Sequence, residues 1–240
     1  MNSRWVIPRP GILIAVCGLD GSGKTTQIRL LEQNISRQRT VFCTRPVGDL
    51  FRQDSTLLHF LNERHAADEA AMLVPELTLL SATDRLRHMR SVIMPRLVQG
   101  DVVLCDRYVY SSYAWMIARG LDDVEWISAL NRYLPQPDLT IYLDITPETS
   151  AVRIESRGDL LRWEEADVER MSRVRRAYLD QPWGQHPDYH IMDAERSPDE
   201  VNADIVRLVQ PLLDRYSMDG PARSWIQTSH QRRGDLYQTG

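Results

Sequence analysis

The amino-acid sequence predicts an α/β fold in which a parallel β-sheet is flanked by helices. Short runs rich in β-branched residues alternate with longer amphipathic stretches, which is the pattern of β-α-β units. The chain has 240 residues, of which 42% are hydrophobic, enough to bury the core of one domain of generous size. Charged residues make up 26% of the chain, a mix that excludes a fibrous or wholly disordered protein.

Five short apolar runs predict the strands of the sheet. Strands buried on both faces of a parallel sheet are almost continuously apolar, and the runs ILIAVC and VVLC have this character. Three runs end in cysteines that are far apart and odd in number, which fits neither a disulfide framework nor a zinc site. We therefore interpret Cys17, Cys43 and Cys105 as small buried hydrophobic residues. The predicted strands are Ile12–Cys17, Thr40–Cys43, Val102–Cys105, Leu139–Leu143 and Tyr189–Met192.

Helical spacing of apolar residues fills the segments between these runs. The apolar stripe of the longest predicted helix could form a dimer face, but such stripes more often belong to the core. The periodicity fades after Ser217, so we predict one domain over residues 1–216 and an extension over residues 217–240, which Trp225 could dock. The predicted helices are Lys24–Ser36, Pro75–Gln99, Asp123–Tyr133, Pro147–Glu155, Glu164–Leu179 and Asp199–Leu213.

Charge and hydropathy exclude several classes of function. A net charge of −4 and a pI near 5.9 argue against a nucleic-acid partner, because phosphate backbones require a basic surface. The longest apolar stretch, Ile12–Cys17, is too short to cross a bilayer, and the first residues lack the features of a secretory signal. We expect a cytoplasmic protein without a membrane partner. The six histidines lack metal-ligand spacing and are interpreted as structural or surface residues.

The sharpest motif is GLDGSGKT at residues 18–25, which matches the phosphate-binding loop pattern GxxxxGK[ST]. Glycines let backbone N–H groups turn toward phosphate oxygens, and the helix that follows presents its positive N-terminal end. Lys24, the only lysine in the chain, would reach the β- and γ-phosphates, and the Thr25 hydroxyl would help to hold Mg²⁺. The predicted cofactor-binding residues are Gly18, Asp20, Gly21, Ser22, Gly23, Lys24, Thr25 and Thr26.

A second motif, Asp106-Arg107-Tyr108, follows the predicted strand VVLC. A carboxylate at the carboxyl end of a strand beside the loop strand can organise the water shell of Mg²⁺. Alone, the motif could equally mark a surface ion pair. Beside a phosphate-binding loop it favours a metal role for Asp106.

The third motif is the arginine-rich segment 153–164. It could be a charged helix end with a glycine C-cap, or a mobile lid whose guanidinium groups close on the phosphoryl group. The spacing alone leaves both interpretations open.

Together these motifs resemble the thymidylate kinase family over most of the range Ile12–Leu213. The matching segments are GLDGSGKTTQ, TRP at 44–46, LLSATDRLRH, QGDVVLCDRYVYSSYAWMIARGL, RGDLLRWE and HIMDAERSPDEV. The resemblance implies a P-loop NTPase fold, with a five-stranded parallel sheet and helices on both faces. It also implies ATP with Mg²⁺ as donor, a deoxynucleoside monophosphate as the small-molecule acceptor, and a homodimer.

The resemblance further implies an acceptor site. Asp20 would bind the 3′-hydroxyl of the acceptor sugar, while Arg45 and Arg107 would clamp its phosphate. Arg85 would hydrogen-bond the thymine base, and Trp115 would pack under the deoxyribose. The implied substrate-binding residues are Asp20, Arg45, Arg85, Arg107, Tyr108, Ser111, Trp115 and Met116.

The implied catalytic residues lie in the loop, at the end of the third strand and in the lid. Because Gly21 stands where some family members have a loop arginine, the lid arginines would supply the charge in the transition state. The implied catalytic set is Lys24, Asp106, Arg153, Arg157 and Arg162.

Departures from the family pattern cluster in the half of the site that reads the base. The family's TREPGG is replaced by TRPVGD at 44–49, and Leu161 replaces an acidic lid residue. Ser81 stands where an aromatic ring commonly stacks on thymine, and Met116 replaces a polar contact to the base edge.

These observations lead to three hypotheses. The first is a phosphotransferase similar to thymidylate kinase, with dTMP as its acceptor. The second keeps the fold and the donor but uses a modified nucleotide or a non-nucleotide acceptor. The third is a nucleotide-binding regulator that no longer catalyses a reaction. The presence of Lys24, Thr25 and Asp106 argues against this third hypothesis.

Overall fold

The computed structural model of the protein describes residues 10–46, 48–159, 161–180 and 186–216. Within these ranges five strands form one all-parallel sheet in the order β2-β3-β1-β4-β5. The predicted α/β class is confirmed, and the predicted strands differ from the observed ones by single residues at their ends. The strands are β1 (Ile12–Gly18), β2 (Val41–Thr44), β3 (Val102–Asp106), β4 (Leu139–Asp144) and β5 (Tyr189–Asp193).

Eleven α-helices connect and cover the strands within the described ranges. Three of them (α2, α3 and α6) are not predicted by the sequence pattern. The residues of α6 are apolar almost all round, so they give no 3.6-residue contrast. The helices are α1 (Lys24–Ile35), α2 (Asp49–Arg52), α3 (Ser55–Asn62), α4 (Ala67–His88), α5 (Met94–Gln99), α6 (Val109–Ala118), α7 (Val124–Asn131), α8 (Pro147–Glu155), α9 (Trp163–Ala166), α10 (Val168–Asp180) and α11 (Pro198–Arg215).

The long predicted helix starts earlier than expected. Proline suits the first turn of a helix, which favours a start at Pro75, but α4 begins at Ala67 and passes through that proline. The buried Val74 shows that the turn before the proline packs into the core. A π-helical turn over Met89–Ile93 then joins α4 to α5. The predicted stripe does face the core, with four members buried and two half-buried: Leu77, Met89, Ile93 and Leu97, then Leu80 and Leu86.

Burial follows the order of the strands in the sheet. The central strand β1 is buried along its whole length, and β3 is buried except for its last residue, Asp106, which is half-buried. Cys17 and Cys105 are accordingly buried, as predicted. Cys43 is exposed because β2 is an edge strand, so the prediction of a buried thiol there was wrong.

The carboxyl ends of the parallel strands meet at one edge of the sheet, where ligands of open α/β sheets bind. Val16 of β1 pairs in register with Asp106 of β3, and Gly18 pairs with Leu143 of β4. This register brings the phosphate-binding motif and the Asp106 motif together.

No helix in the described ranges is both long and apolar enough to cross a membrane. The predicted extension 217–240, with Trp225, lies outside the described residues.

Candidate functional site

The phosphate-binding loop connects β1 directly to α1. Gly21 and Gly23 have positive φ angles of 78° and 90°, which side chains rarely adopt. A Cβ atom at Gly21 would also lie 2.9 Å from the Ser150 carbonyl oxygen. Gly23 is the N-cap of α1, so the positive end of the helix faces the loop. The loop can therefore surround an anion with backbone N–H groups.

The buried Lys24 and the partly exposed Asp20 form a charged centre within this loop. The Lys24 ammonium donates to the carbonyl oxygens of Gly18 at 3.2 Å and Leu19 at 2.6 Å, and lies 3.7 Å from the Asp20 carboxylate. Burial, assisted by the positive Arg107, lowers the pKa of Lys24 to about 8. Burial alone would raise the pKa of Asp20, but Arg107 and Lys24 together lower it well below its usual range.

Arg107 connects this centre to the end of β3. Its guanidinium donates to the Gly18 carbonyl oxygen at 2.9 Å and to Asp20 Oδ1 at 2.6 Å. Its backbone has φ of 71°, the left-handed region that costs a residue other than glycine about 1–3 kcal/mol. Burial lowers the pKa of Arg107, but the Asp20 carboxylate outweighs that effect and raises it. Arg107 is thus a permanently charged group fixed between the loop and the neighbouring pocket.

The residues predicted to hold Mg²⁺ fit a cation. Asp106 Oδ1 and Ser22 Oγ are both buried, and neither has a hydrogen-bond partner among the described residues. Unsatisfied buried oxygen atoms are costly unless a ligand or water completes them. Thr25 is exposed on the first turn of α1, so its hydroxyl is accessible from the loop side. Carboxylate and hydroxyl oxygens are the ligands that Mg²⁺ prefers.

A pocket of about 380 Å³ opens next to the phosphate-binding loop. Asp20 and Arg107 line it and so belong to both sites. Every residue predicted for acceptor binding lines this pocket, and so does Ser81. The remaining lining residues of the predicted set are Arg45, Arg85, Tyr108, Ser111, Trp115 and Met116.

The loop after β2 brings Arg45 to the pocket. The Thr44 hydroxyl lies 2.8 Å from the His88 ring, and the Gly48 backbone N–H donates to the Asp84 carboxylate, so α4 holds both sides of the loop. Partial loss of hydration beside the pocket and the nearby Arg107 both lower the pKa of Arg45. Two like charges held beside each other favour binding of an anion between them.

Arg85 lies deeper, on α4. Its guanidinium is buried and donates to Asn131 Oδ1 and to the Ser112 hydroxyl. Burial lowers the pKa of Arg85 to about 10, so the group stays charged at neutral pH. Ser81 is also buried, and its hydroxyl donates to the Thr78 carbonyl oxygen at 2.9 Å within the helix.

The lid arginines occupy three different positions. Arg153 reaches the phosphate-binding loop, where its Nη1 lies 3.0 Å from the Ala194 carbonyl oxygen and 3.5 Å from that of Gly21. Arg162, the N-cap of α9, lines the pocket beside the phosphate-binding loop. Arg157 is exposed on the turn after α8 and does not line that pocket, so its catalytic role stays a prediction.

Sequence reasoning assigned no role to several residues of this site. Arg119 and Glu164 form a buried bidentate ion pair, with distances of 2.9 and 2.7 Å, that joins the end of α6 to the short helix α9. Glu165 lines the pocket, and burial together with the neighbouring Asp20 raises its pKa. The pair spans 45 positions of the chain, so no local spacing could have revealed it.

Residues 16–205 match the family model for thymidylate kinase. A probable thymidylate kinase of Pyrococcus horikoshii is 36% identical over 201 residues, which cover 83% of this chain and 96% of the relative. The thymidylate kinase of Symbiobacterium thermophilum is 36% identical over 215 residues, which cover 85% of this chain and 95% of the relative. A probable thymidylate kinase of Pyrobaculum aerophilum is 34% identical, with 83% and 97% covered. The chain therefore belongs to the thymidylate kinase family, a family of phosphotransferase enzymes.

Proposed function

We propose that the protein transfers the γ-phosphoryl group of ATP to a deoxynucleoside monophosphate, with dTMP as the first candidate. One observation carries the proposal: Arg107 donates to the phosphate-binding loop at Gly18, pairs with Asp20 and lines the adjoining pocket. An anion held by Arg45 and Arg107 would lie beside the donor phosphates. The names of the relatives favour dTMP as that anion.

Each group has a positioning or electrostatic task in this reaction, because phosphoryl transfer needs no covalent nucleophile from the protein. Thr25 and Asp106 would hold Mg²⁺, which when bound would supply positive charge at the donor phosphates. Lys24 binds the phosphates that move, and Arg45 and Arg107 hold the acceptor phosphate in line. Arg162, at the pocket, and Arg153, at the loop, would add charge as the lid closes.

The part of the pocket that contains Ser81 and Met116 supports a second candidate acceptor. Ser81 offers no ring, and its hydroxyl is already engaged within α4. Met116 is buried against the pocket, where its sulfur lies 3.9 Å from the Arg119 guanidinium rather than presenting a polar group to a base. A modified nucleotide, or a phosphorylated acceptor without a base, would not need those contacts.

A turnover survey tests the proposal. ADP formation from ATP and Mg²⁺ would be measured with dTMP, dUMP, dCMP, purine monophosphates and 2-deoxyribose 5-phosphate, each against a control without acceptor. We expect dTMP to raise the rate above that control, with formation of the diphosphate. Turnover with only the baseless phosphate would favour the second candidate, and turnover with none would support the non-catalytic regulator.

We also propose a homodimer in the cytoplasm, as the family resemblance implies. Met72 and Leu79 on α4 are 79% and 48% exposed, which supports an apolar face available for a second copy. Sedimentation analysis of the full chain would test the dimer, and fractionation of cells would test the location.

A further inference from the structure

His59, His65 and Glu69 converge where α3 meets the start of α4, although the sequence spacing gave no indication of a ligand set. His59 lies on α3, His65 in the turn that follows, and Glu69 in the first turn of α4. Their ligand atoms all lie within 4.8 Å of one another. The interpretation of these two histidines as structural or surface residues stays a prediction, and the cluster offers an alternative to it. No other such cluster occurs in the part of the chain that the structure describes.

Two of the nitrogen–oxygen distances are close to the ligand spacing around a tetrahedral metal ion. His59 Nε2 lies 3.4 Å from Glu69 Oε1, and His65 Nδ1 lies 3.0 Å from Glu69 Oε2. Zinc bonds of about 2.0–2.1 Å in tetrahedral geometry place neighbouring ligand atoms about 3.3 Å apart. Small side-chain rotations would thus bring all three groups onto one ion.

His65 is already oriented for ligation. Its side chain is only 2% exposed, and its ring stacks on Phe60 with a centroid distance of 5.3 Å and an interplanar angle of 13°. Burial fixes the ring before any ligand arrives, which lowers the entropic cost of binding. The other two groups are about half exposed, at 47% for His59 and 48% for Glu69, so an ion can enter from solvent.

The second nitrogen of His65 provides an independent observation. Nε2 is buried and has no hydrogen-bond partner among the described residues. His65 also lines a cavity of about 160 Å³ that Asp167 and Arg170 share. A metal-bound histidine usually donates its free N–H to a carboxylate, a carbonyl or a water molecule. A cavity of this volume has room for a water molecule that could accept from Nε2.

We propose that His59 Nε2, His65 Nδ1 and a Glu69 carboxylate oxygen bind one divalent transition-metal ion, with zinc as the best candidate. Two imidazoles, one carboxylate and an open fourth position form a known ligand set of zinc in proteins. A hard cation such as Mg²⁺ prefers oxygen ligands and is disfavoured here. The ion joins α3 to α4, and both helices line the acceptor pocket through Leu57 and Ser81.

Zinc titration of the full chain tests this site without any measurement of turnover. The protein is stripped with a chelator and titrated against a chromophoric zinc indicator in excess Mg²⁺, which saturates oxygen-ligand sites. We expect one equivalent of zinc to bind with a Kd of about 10 µM or tighter. Zinc should also raise the Tm of the wild-type chain by several degrees.

Two ligand variants and two control variants test whether zinc binds at this cluster. His59→Ala and Glu69→Gln change half-exposed side chains, so both should fold and both should weaken zinc binding by about tenfold or more. His186→Ala removes an exposed histidine that also lies beside a carboxylate, Asp188, and should leave zinc binding unchanged. Cys43→Ser tests the exposed thiol and should likewise have no effect.

Three results would overturn the proposal. They are absence of zinc binding tighter than about 100 µM, equal binding by wild type and both ligand variants, and loss of binding in Cys43→Ser. Because the readout is metal affinity, none of these results bears on whether the protein transfers phosphate.

Discussion

The phosphate-binding loop and the adjoining pocket form two halves of the site, and these halves are built in different ways. The first is held largely by backbone at the carboxyl edge of the sheet, where Gly18 accepts from both Lys24 and Arg107. The second is lined by helices α3, α4, α6 and α9. Side-chain pairs hold these helices together, as Arg119–Glu164 does for α6 and α9. Under the proposed function, phosphoryl transfer would depend on the backbone of the loop, and the choice of acceptor on side chains that the surrounding helices contribute.

Removal of Lys24 should have the largest effect on catalysis. Lys24→Ala should lower kcat by about a hundredfold or more, because a buried charge at the moving phosphates contributes about 3 kcal/mol or more to the barrier. Steady-state ADP release is the measurement, with Arg29→Ala, an exposed change on the same helix, as the control. Retention of more than about a tenth of wild-type kcat would contradict the role assigned to the loop.

The free energy of unfolding tests whether the buried pair Arg119–Glu164 holds the helices around the pocket together. Glu164→Met leaves the buried Arg119 charge without its partner and should lower the free energy of unfolding by about 3–5 kcal/mol. Arg119→Met should cost less, because Glu164 keeps its longer contact to Arg170, at 3.5 Å. The double variant should recover most of that loss, because neither charge remains. Urea unfolding of all four proteins completes the cycle. Additive losses would show that the pair does not hold α9 to α6.

The lid arginines should affect turnover more than donor binding. Arg162→Ala and Arg157→Ala should each lower kcat by about tenfold, with the larger effect at Arg162, since that residue already lines the pocket. Pre-steady-state kinetics would separate chemistry from product release. An unchanged kcat with only a raised KM for ATP in both variants would mean that the lid merely binds the donor.

The pKa of Lys24 predicts a pH dependence for the free enzyme. Since burial lowers this pKa to about 8, the side chain is charged below that pH and becomes neutral as the pH rises through it. kcat/KM for ATP should therefore fall by about tenfold per pH unit above 8, whereas kcat should persist to higher pH because bound phosphates favour the charged form. Lys24→Arg, which does not titrate in this range, should lack the alkaline fall in any residual activity. A wild-type profile that stays flat to pH 10 would contradict this assignment.

The two halves also differ in how far the sequence could predict them. The phosphate-binding loop is one continuous motif, and Asp106 follows a strand whose burial is visible in its apolar run, so local sequence is enough to place both. Glu165 reaches Asp20 only through the fold of the lid. Arg119 and Glu164 are paired across 45 positions, and the α3 wall of the pocket was not predicted at all. Contacts between distant helices leave no local pattern, which explains why these features emerge only from the three-dimensional fold.

The smallest expected effect is on the affinity for dTMP when Met116 is replaced. Met116→Gln would restore a polar partner and should tighten dTMP by up to about tenfold, the value of one hydrogen bond to a buried group. Binding of dUMP and dCMP should change unequally, because the new amide contacts the base edge. A uniform change for all three nucleotides would show that Met116 does not face the base.

Competitive calorimetry of dTMP, dUMP and dCMP, with wild type and Arg45→Ala, tests the contrast between the halves most directly. Arg45 is exposed on its loop, so its loss should leave the fold intact and weaken all three nucleotides equally, by about tenfold. In the wild-type chain we expect the three affinities to lie within about tenfold of one another, because Ser81 and Met116 contribute little to reading the base. Thymine-selective binding by more than about a hundredfold, or unequal losses in Arg45→Ala, would contradict a site in which phosphate recognition is retained and base recognition is weakened.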